Sequence, residues 1–290
     1  MSNLRNPFAV FDTRLQTAFE TNLLAALMED VGGGDHTAQL VPDEERVHAQ
    51  VIVREQAVLC GAPWFEGIMT AIDPNTDINW MYGEGELMSA GSVVCTMQGF
   101  PRSLLTGERA ALNFMQLLSA VATATRRYVD VVAGTNAAIL DTRKTLPGLR
   151  QAQKYAVRVG GGQNQRMALY DGILIKENHI AAAGGVTAAL TAASALDAGV
   201  PIQVEVETLD QLAEALAAGA SSVLLDNFDL ARLRAAVALN AGRALLEASG
   251  GINLDTVRDI AETGVDRISV GSLTKDIRAT DYSMRIVESH

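Results

Sequence analysis

The chain has 290 residues, of which 48% are hydrophobic and 20% charged, and its formal net charge is −11 at pH 7. This length and balance fit a globular protein with one large or two smaller domains, and they argue against disorder. The acidic balance argues against nucleic-acid binding, which needs a broad basic surface. No apolar run approaches the roughly 20 residues of a membrane span, and residues 1–15 lack a signal core, so we expect a cytoplasmic protein. Cys60 and Cys95 are expected to be buried and reduced.

The first third of the chain is predicted to contain a helix, a glycine-rich loop and a small sheet. Apolar residues recur at helical spacing over residues 13–29, and a glycine-rich loop follows. In that loop Asp35 and Thr37 are expected to stabilise a tight turn through hydrogen bonds to their own backbone. Short alternating apolar runs over residues 47–99 predict a small, mainly antiparallel sheet, with a scaffolding or dimerisation role.

Residues 101–132 are predicted to form one long helix, because apolar positions recur at intervals of three and four. Arg109 lies near its start, where the helix dipole favours anions rather than cations. This unusual position suggests that Arg109 is placed for an anionic ligand, although a simple salt bridge explains it equally well.

From residue 137 the chain alternates between short apolar strands and alanine-rich helices. The later units recur roughly every 20 residues, which is typical of short βα repeats with parallel strands. No Gly-x-Gly-x-x-Gly follows a first strand, so a barrel is favoured over an open nucleotide-binding sheet. The predicted strands are residues 137–140, 172–175, 202–206, 222–225, 244–247 and 267–270.

A cationic segment spans residues 139–180. It holds seven basic and three acidic residues, a net charge of about +4 in a chain of net charge −11. A concentration of positive charge on an acidic protein is what a site for a multiply anionic small molecule requires. The seven basic residues are Arg143, Lys144, Arg150, Lys154, Arg158, Arg166 and Lys176.

A polar residue follows or ends each predicted strand of the second half. In a βα barrel the carboxyl ends of the strands converge on one mouth, where the active site is built. Glycine-rich turns after the last two strands also match a phosphate cradle, in which backbone amides approach the anion. The residues at these ends are Asp141, Arg143, Lys176, Glu205, Glu207, Asp226, Glu247, Ser249, Gly250, Gly251, Gly271 and Ser272.

Several long motifs resemble quinolinate phosphoribosyltransferases. They include Asp-Thr-Arg-Lys-Thr at 141–145, Pro-Gly-Leu-Arg at 147–150, Gly-Gly-Gly at 160–162 and Leu-Ile-Lys-Glu-Asn-His at 174–179. Shorter matches, such as Leu-Asp-Asn at 225–227, extend the resemblance over nearly the whole chain. It implies transfer of phosphoribose from phosphoribosyl pyrophosphate (PRPP) to quinolinate. Decarboxylation then gives nicotinate mononucleotide, pyrophosphate and carbon dioxide in de novo NAD synthesis.

The resemblance also implies an architecture and an assembly. The fold is expected to be an N-terminal α/β sandwich domain plus an open parallel α/β barrel domain. The expected boundaries are residues 1–116 for the sandwich and dimerisation domain, 117–275 for the catalytic barrel, and 276–290 for a segment returning to the N-terminal domain. The family forms homodimers, so Arg109 is expected to enter the site of the neighbouring subunit.

The roles of the site residues follow from the same resemblance. Arg143, Arg166 and Lys176 are expected to hold the two carboxylates of quinolinate, with Lys144 at the junction with PRPP. Glu205 and Asp226 are suited to bind the ribose hydroxyls and Mg²⁺. The residues expected to act in catalysis are Lys144, Lys176, Glu205 and Asp226, and those expected to hold the 5′-phosphate are Ser249, Gly250, Gly251 and Gly271.

One position departs from the family pattern. Many members have Asn-His-Arg after the triple glycine, whereas this chain has Gln165 between Asn164 and Arg166. Glutamine keeps a donor but cannot be cationic, so it is either a neutral variant or a sign of another acceptor. Gln165 is the only support for one alternative, a related PRPP-dependent enzyme with a different acceptor. Two further alternatives are a Schiff-base aldolase using Lys176, disfavoured by the charged residues around that lysine, and a non-catalytic sensor, for which no interaction tail or second module is seen.

Overall fold

The protein is described by a computed structural model that covers residues 11–287. Compactness divides the chain into two units. Of the described residues, the first unit contains 11–126, 146–161 and 276–287, and the second contains 127–145 and 162–275. These units cross the domain limits expected from the sequence, most visibly at 146–161, so those limits stay a prediction.

The described residues form ten α-helices and twelve strands. The helices are α1 Thr13–Asp30, α2 Ala62–Ile72, α3 Pro101–Val131, α4 Arg150–Val159, α5 Glu177–Ala183, α6 Val186–Ala195, α7 Leu209–Ala217, α8 Leu230–Asn240, α9 Val257–Ala261 and α10 Ser272–Lys275. The strands are β1 Val47–Val53, β2 Ala57–Val58, β3 Asp77–Trp80, β4 Leu87–Met88, β5 Val93–Gly99, β6 Ala138–Leu140, β7 Ile173–Ile175, β8 Ile202–Val206, β9 Ser222–Asp226, β10 Leu245–Ser249, β11 Arg267–Ser269 and β12 Tyr282–Val287.

The first unit contains a four-stranded antiparallel sheet in the order β12-β1-β5-β3. Side chains alternate along β1, with Ala49, Val51 and Val53 buried, as expected for a sheet with one face on a core. The predicted antiparallel sheet over residues 47–99 is thus confirmed. Because β12 pairs with β1, the last described strand belongs to the same sheet as the first.

Helices cover this sheet and enclose an aromatic cluster. Helix α1 begins where the Asp12 side chain accepts a hydrogen bond from the Leu15 amide at 2.8 Å. Its Phe19 ring lies 5.4 Å from the Trp64 ring of α2, which lies 5.3 Å from the Tyr155 ring of α4. These contacts tie three helices together.

Helix α2 was not predicted, because its sequence has no polar face. Residues Ala62 to Met69 are all buried, so the apolar periodicity that marks a surface helix is missing. The sequence prediction therefore treated this stretch as part of the sheet region. Gly61, which precedes the helix as its N-cap, has a left-handed backbone conformation with a φ of +100°.

The second unit contains a six-stranded parallel sheet in the order β6-β11-β10-β9-β8-β7. Every neighbouring pair in this sheet is parallel, and helices connect successive strands. The predicted mixed α/β architecture is confirmed. Strands β6 and β7 are the two edges, and Gln163 extends the sheet beyond β6 through a parallel bridge to Leu140.

Two further expectations concern the whole chain. Cys60 and Cys95 are both free and buried, as predicted. Among residues 11–287, no helix combines the length and the apolar character that a membrane crossing requires.

Candidate functional site

The carboxyl ends of the six parallel strands lie at one edge of the sheet in the second unit. Nine of the predicted site residues lie in the last two positions of these strands or within four residues after them, and a tenth lies beside the end of β6. This edge, hereafter the mouth, brings basic, acidic and glycine positions together because all six strands run in the same direction. The ten residues are Arg143, Lys144, Lys176, Glu205, Asp226, Ser249, Gly250, Gly251, Gly271 and, through the bridge beside β6, Gln165.

Lys176 and Glu205 form an ion pair at the mouth. The Lys176 Nζ donates to Glu205 Oε2 at 2.9 Å, and the Glu205 side chain is only 11% exposed. The strands that carry them are paired, with Ile175 opposite Val204. A lysine held by a buried carboxylate is not in the apolar environment that a Schiff-base lysine requires, so the site does not support the aldolase alternative.

Asp226 ends β9 and lies within electrostatic reach of both mouth lysines. Burial raises the pKa of its carboxyl above the ordinary value, while Lys176 and Lys144 act in the opposite direction. Glu207 and Glu177 add to the increase. The Asn227 side-chain amide donates to Asp226 Oδ2 at 2.7 Å and so fixes the orientation of the carboxylate. Asp226 is therefore a preorganised oxygen ligand beside two cations.

Arg166 and Arg143 are neighbouring cations in this unit. Burial lowers the pKa of the Arg166 guanidinium, and the charge of Arg143 lowers it further, whereas Asp171 opposes the change. Arg166 Nη1 donates to the Gly172 carbonyl oxygen at 2.9 Å, which anchors the side chain beside β7. Its buried Nε has no hydrogen-bond partner among the described residues. Two guanidinium groups held close together favour an anionic ligand.

The segment that carries Asn164 and Gln165 is fastened to the end of β6. Asp141 is completely buried and accepts hydrogen bonds from Asn164 Nδ2 at 2.6 Å and from the Gln165 amide at 2.9 Å. The Gln165 side-chain nitrogen donates to Gln203 Oε1 at 3.0 Å. Gln165 is thus held by its backbone on one side and by its side chain on the other.

The glycine turns at the mouth have the backbone conformations expected of an anion cradle. Gly250 and Gly251 have φ values of +108° and +60°, which other residues rarely adopt. A Cβ on Gly271 would lie 3.2 Å from Lys144 Cδ, so this glycine lets the Lys144 side chain pass close to the turn. The Lys144 backbone is fixed by Thr142 and Thr274, at 3.0 and 2.8 Å.

Arg109 lies in the first unit, on α3, and its side chain is 59% exposed. Its nearest carboxylate is that of Glu108, at the long distance of 3.9 Å. Three more of the basic residues in the predicted cationic segment, Arg150, Lys154 and Arg158, lie on α4 and also belong to the first unit. The cationic segment is therefore divided between the two units.

Glu247 was expected to end a strand, and this prediction is wrong. Strand β10 continues to Ser249, so Glu247 lies in its middle and is only 1% exposed. Gln203, Thr142, Asn227 and Thr274 were not proposed as site residues, although each contacts one. Gln203 could have been found from its position two residues before Glu205, since such residues share a face of the sheet.

Each of the two units contains a cavity. A cavity of about 450 Å³ in the first unit contains none of the predicted site residues. A cavity of about 410 Å³ in the second unit borders Gln165, Arg166, Gln203 and Glu247, and also residues that begin the strands, such as Ser222. The second cavity therefore extends from the predicted site residues Gln165 and Arg166 toward the amino-terminal end of the sheet.

Comparisons with known proteins agree over nearly the full length. Two family models match, "Quinolinate phosphoribosyl transferase, N-terminal domain" over residues 35–119 and "C-terminal domain" over residues 121–285. A relative from Mycobacterium leprae, named nicotinate-nucleotide pyrophosphorylase [carboxylating], is 42% identical over 89% of this chain and 94% of its own. A relative from Bacillus subtilis, named as a probable enzyme of the same kind, is 40% identical over 91% of each chain. The structure of the nicotinate-nucleotide pyrophosphorylase from Francisella tularensis superimposes with a TM-score of 0.91 at 43% identity, covering 93% of this chain and 96% of that one.

Proposed function

This chain belongs to the quinolinate phosphoribosyltransferase family, and we propose that it transfers phosphoribose from PRPP to the ring nitrogen of quinolinate. Loss of the 2-carboxylate then gives nicotinate mononucleotide, with pyrophosphate and carbon dioxide as the other products, in de novo NAD synthesis. The observation that carries the proposal is the mouth itself, where basic side chains, two carboxylates and glycine turns end one parallel sheet.

The reaction needs two bond exchanges. The bond from ribose C1 to the pyrophosphate oxygen breaks, and the pyridine nitrogen forms the new bond to C1 through an oxocarbenium-like transition state. The bond to the 2-carboxylate then breaks, and its electron pair remains on the ring carbon, which takes a proton as carbon dioxide leaves. The positive ring nitrogen stabilises that electron pair, so no separate acid or base of perturbed pKa is required. The protein therefore has mainly to position and neutralise anions.

The acceptor is assigned to the basic side chains. Arg143 and Arg166 are suited to bind the two adjacent carboxylates of quinolinate, because a guanidinium offers a planar pair of donors. The proximity of the two groups is supported by the effect of Arg143 on the Arg166 pKa. Lys176 supplies a point charge, and its bond to Glu205 keeps it directed at the mouth. Gln165 would complete this subsite.

PRPP is assigned to the opposite part of the mouth. Ser249, Gly250, Gly251 and Gly271 would hold the 5′-phosphate through backbone amides, for which the left-handed turns are suited. Lys144, adjacent to Gly271, would stand between this phosphate and the acceptor. Glu205 and Asp226 would bind the ribose hydroxyls, and their charge would stabilise the positive character that develops on C1.

Mg²⁺ is proposed as the metal of the reaction. Within residues 11–287 no group of three or more His, Cys, Asp or Glu side chains forms a metal cluster. This fits Mg²⁺, which is commonly held by one or two carboxylates together with substrate phosphates. Glu205 and Asp226 are the carboxylates that would hold it, and when bound it would neutralise charge on the leaving pyrophosphate.

We also propose that the protein is a homodimer in which Arg109 enters the partner's site, and that it works in the cytoplasm. The exposed Arg109 side chain and its long separation from Glu108 support the first part, because the guanidinium can bind an external anion. Sedimentation of the purified protein and fractionation of its source cells test the assembly and the location.

The reaction is tested by measuring release of pyrophosphate and carbon dioxide from PRPP and Mg²⁺, with quinolinate and nicotinate as rival acceptors. Both products are expected with quinolinate, and omission of Mg²⁺ is expected to abolish their release. Turnover of nicotinate with no carbon dioxide from quinolinate would favour the related enzyme with a different acceptor. Binding of PRPP without turnover of any acceptor would favour the sensor.

A further inference from the structure

A second polar layer lies directly beneath the mouth. On each of strands β8, β10 and β11, the residue two positions before a mouth residue is polar and buried. Because side chains two residues apart share a face of a strand, Gln203 and Glu247 point to the same side of the sheet as Glu205 and Ser249, and Ser269 joins them through its hydrogen bond to Glu247. The three buried residues are Gln203 beneath Glu205, Glu247 beneath Ser249, and Ser269 beneath Gly271, with exposures of 8%, 1% and 6%.

These residues form a hydrogen-bonded chain that ends at Gln165. The Ser269 hydroxyl donates to Glu247 Oε1, and Gln203 Nε2 donates to Glu247 Oε2 at 2.9 Å. Gln165 Nε2 then donates to Gln203 Oε1 at 3.0 Å. Among the described residues Glu247 makes no ion pair. These hydrogen bonds therefore compensate its burial.

The hydrogen bonds between these side chains run in one direction, with Gln165 donating to Gln203 and Gln203 donating to Glu247. A carboxylate accepts hydrogen bonds and donates none, so Gln203 must turn its NH₂ group toward Glu247. Its carbonyl oxygen then faces Gln165, which must in turn offer its own NH₂ group. The orientation of the Gln165 amide is therefore set by Glu247, through Gln203.

Packing alone does not fix that orientation. The cavity of about 410 Å³ borders Gln165, which is only partly buried, so close packing does not enclose its amide on every side. A close-packed interior would hold an amide by contact, whereas here the hydrogen bonds must do so. Arg166 follows Gln165 directly, and its own anchor is the Gly172 carbonyl on the edge strand.

We propose that Gln203 and Glu247 are positioning residues that set acceptor recognition by orienting Gln165. The amide nitrogen carries two N–H groups; with one bonded to Gln203, the second is the donor that a carboxylate of the acceptor would meet, whereas a reversed amide would present its oxygen there. The inference rests on the proposed function in that the acceptor is a pyridine carboxylate bound beside Gln165. It adds two buried residues to the recognition of that acceptor and gives them no contact with it.

The test is a double-mutant cycle between Gln203→Met and Gln165→Met. Methionine has a similar volume and fills the interior but lacks the amide. Each single variant is expected to raise the KM for quinolinate about tenfold, the effect of losing an oriented hydrogen bond, and to leave the KM for PRPP within about twofold. In the Gln165→Met background, Gln203→Met is expected to add nothing, since it acts through Gln165. Additive effects, or equal changes in both KM values, would overturn the inference.

A rescue variant separates orientation from packing. In Gln203→Glu with Glu247→Gln, the carboxylate at 203 still accepts from Gln165 Nε2, and the amide at 247 bridges to Ser269. The KM for quinolinate is therefore expected within about threefold of wild type, and a KM as high as that of Gln203→Met would contradict the proposal. Should Gln203→Met fail to fold, Gln203→Asn can replace it, because it shortens the side chain by one methylene and keeps the amide. It is expected to raise the KM for quinolinate by a smaller factor and again to leave the KM for PRPP nearly unchanged.

Glu84→Gln is the matched control, because Glu84 is also a buried, hydrogen-bonded carboxylate but belongs to the first unit. It is expected to change stability without separating the two KM values. If wild-type protein uses another pyridine acceptor, the KM for that acceptor becomes the compared quantity. Failure of the named reaction and failure of this inference are thus distinguished.

Discussion

At the scale of single residues, Arg166 shows why a basic residue at this site is more than a charge. Its Nη1 is committed to the Gly172 carbonyl oxygen, while its buried Nε has no partner among residues 11–287. A lysine at this position would keep the charge and its donors, but all on one nitrogen, so it could not hold the carbonyl and also present a planar pair of donors to a carboxylate. The geometry of the guanidinium, and not its charge alone, therefore defines its role in the proposed acceptor subsite.

Arg166→Lys is accordingly expected to raise the KM for quinolinate about 10- to 100-fold, through loss of bidentate binding. Steady-state kinetics with each substrate varied in turn would measure this. Arg243→Lys is the control, because Arg243 also binds main-chain carbonyls in the same unit, at 2.6 and 3.1 Å, but at the end of α8. Equal loss of activity in the two variants would count against a binding role for Arg166.

Glu84 is a second residue whose chemistry is set by burial. It accepts hydrogen bonds from the Gly61 and Ala62 amides at the start of α2 and from the Tyr155 hydroxyl. Burial nevertheless dominates and raises the pKa of its carboxyl to about 7. Because this pKa exceeds the unfolded value of 4.5, the folded protein holds the proton more tightly. The contribution to stability is present below the unfolded pKa and is lost as pH rises through about 7.

The expected loss is about 2–3 kcal/mol between pH 5 and pH 8. Thermal or urea unfolding at several pH values would measure it for wild type and for Glu84→Gln, which cannot titrate and is expected to show a flatter profile. Glu86→Gln is the control, since Glu86 lies nearby but is exposed. A wild-type profile identical to that of Glu84→Gln would contradict the assignment.

At the scale of elements, the strands were predicted well from the sequence where a run of apolar residues is bounded by polar ones. The six parallel strands were predicted to within two residues at each end, because apolar runs stand between polar residues and helices. The mouth residues followed from the same pattern. By contrast, α2 was missed because its buried sequence has no periodicity, and the Gln203–Glu247 layer was missed because it depends on which strands are neighbours. Strand order is a property of long-range pairing that spacing does not reveal.

The glycine turns of the mouth give a prediction at this scale. Gly250 has a φ of +108°, and a Cβ there would overlap the Asn227 side chain. Gly251 has a φ of +60° with open space around it. Gly250→Ala is therefore expected to lower the free energy of unfolding by about 2–4 kcal/mol, and Gly251→Ala by about 1 kcal/mol.

Gly271→Ala should differ from both. Its backbone lies outside the left-handed region, and the added methyl group would meet only the flexible Lys144 side chain and Thr142, at 3.2 and 3.6 Å. It is expected to raise the KM for PRPP several-fold and to leave stability nearly unchanged. Unfolding curves and PRPP kinetics for the three alanine variants check the series. The assignment fails if Gly271→Ala is the least stable of them.

At the scale of the whole molecule, charge is distributed unevenly. The net charge is −11, yet the mouth gathers basic side chains around a few carboxylates. Such a field attracts anionic substrates to one edge of the sheet and repels them elsewhere. Arg109 does not belong to this unit, and among residues 11–287 its exposed guanidinium has no carboxylate closer than that of Glu108, at 3.9 Å. We propose that the anionic ligand of Arg109 lies in the site of a second copy of the chain.

Subunit exchange tests that proposal. Arg109→Ala and Lys176→Ala are each expected to be inactive, because each would remove a different cation from every site. In a mixed dimer, one of the two sites would combine the intact Arg109 of one chain with the intact Lys176 of the other. Mixing the two variants under conditions that allow exchange is therefore expected to restore up to about a quarter of wild-type activity, since about half of the dimers are mixed and each has one intact site of two.

The exchange itself must be verified, for example by mass spectrometry of chains carrying different isotope labels. Arg126→Ala mixed with Lys176→Ala is the control, because Arg126 is bonded to the Gly160 carbonyl within its own unit and is proposed for no shared site. Arg126→Ala alone should remain active, and mixing should give only the sum of the two parents. If Arg109→Ala and Lys176→Ala exchange chains without any recovery, then Arg109 serves the site of its own subunit and the proposed interface must be abandoned.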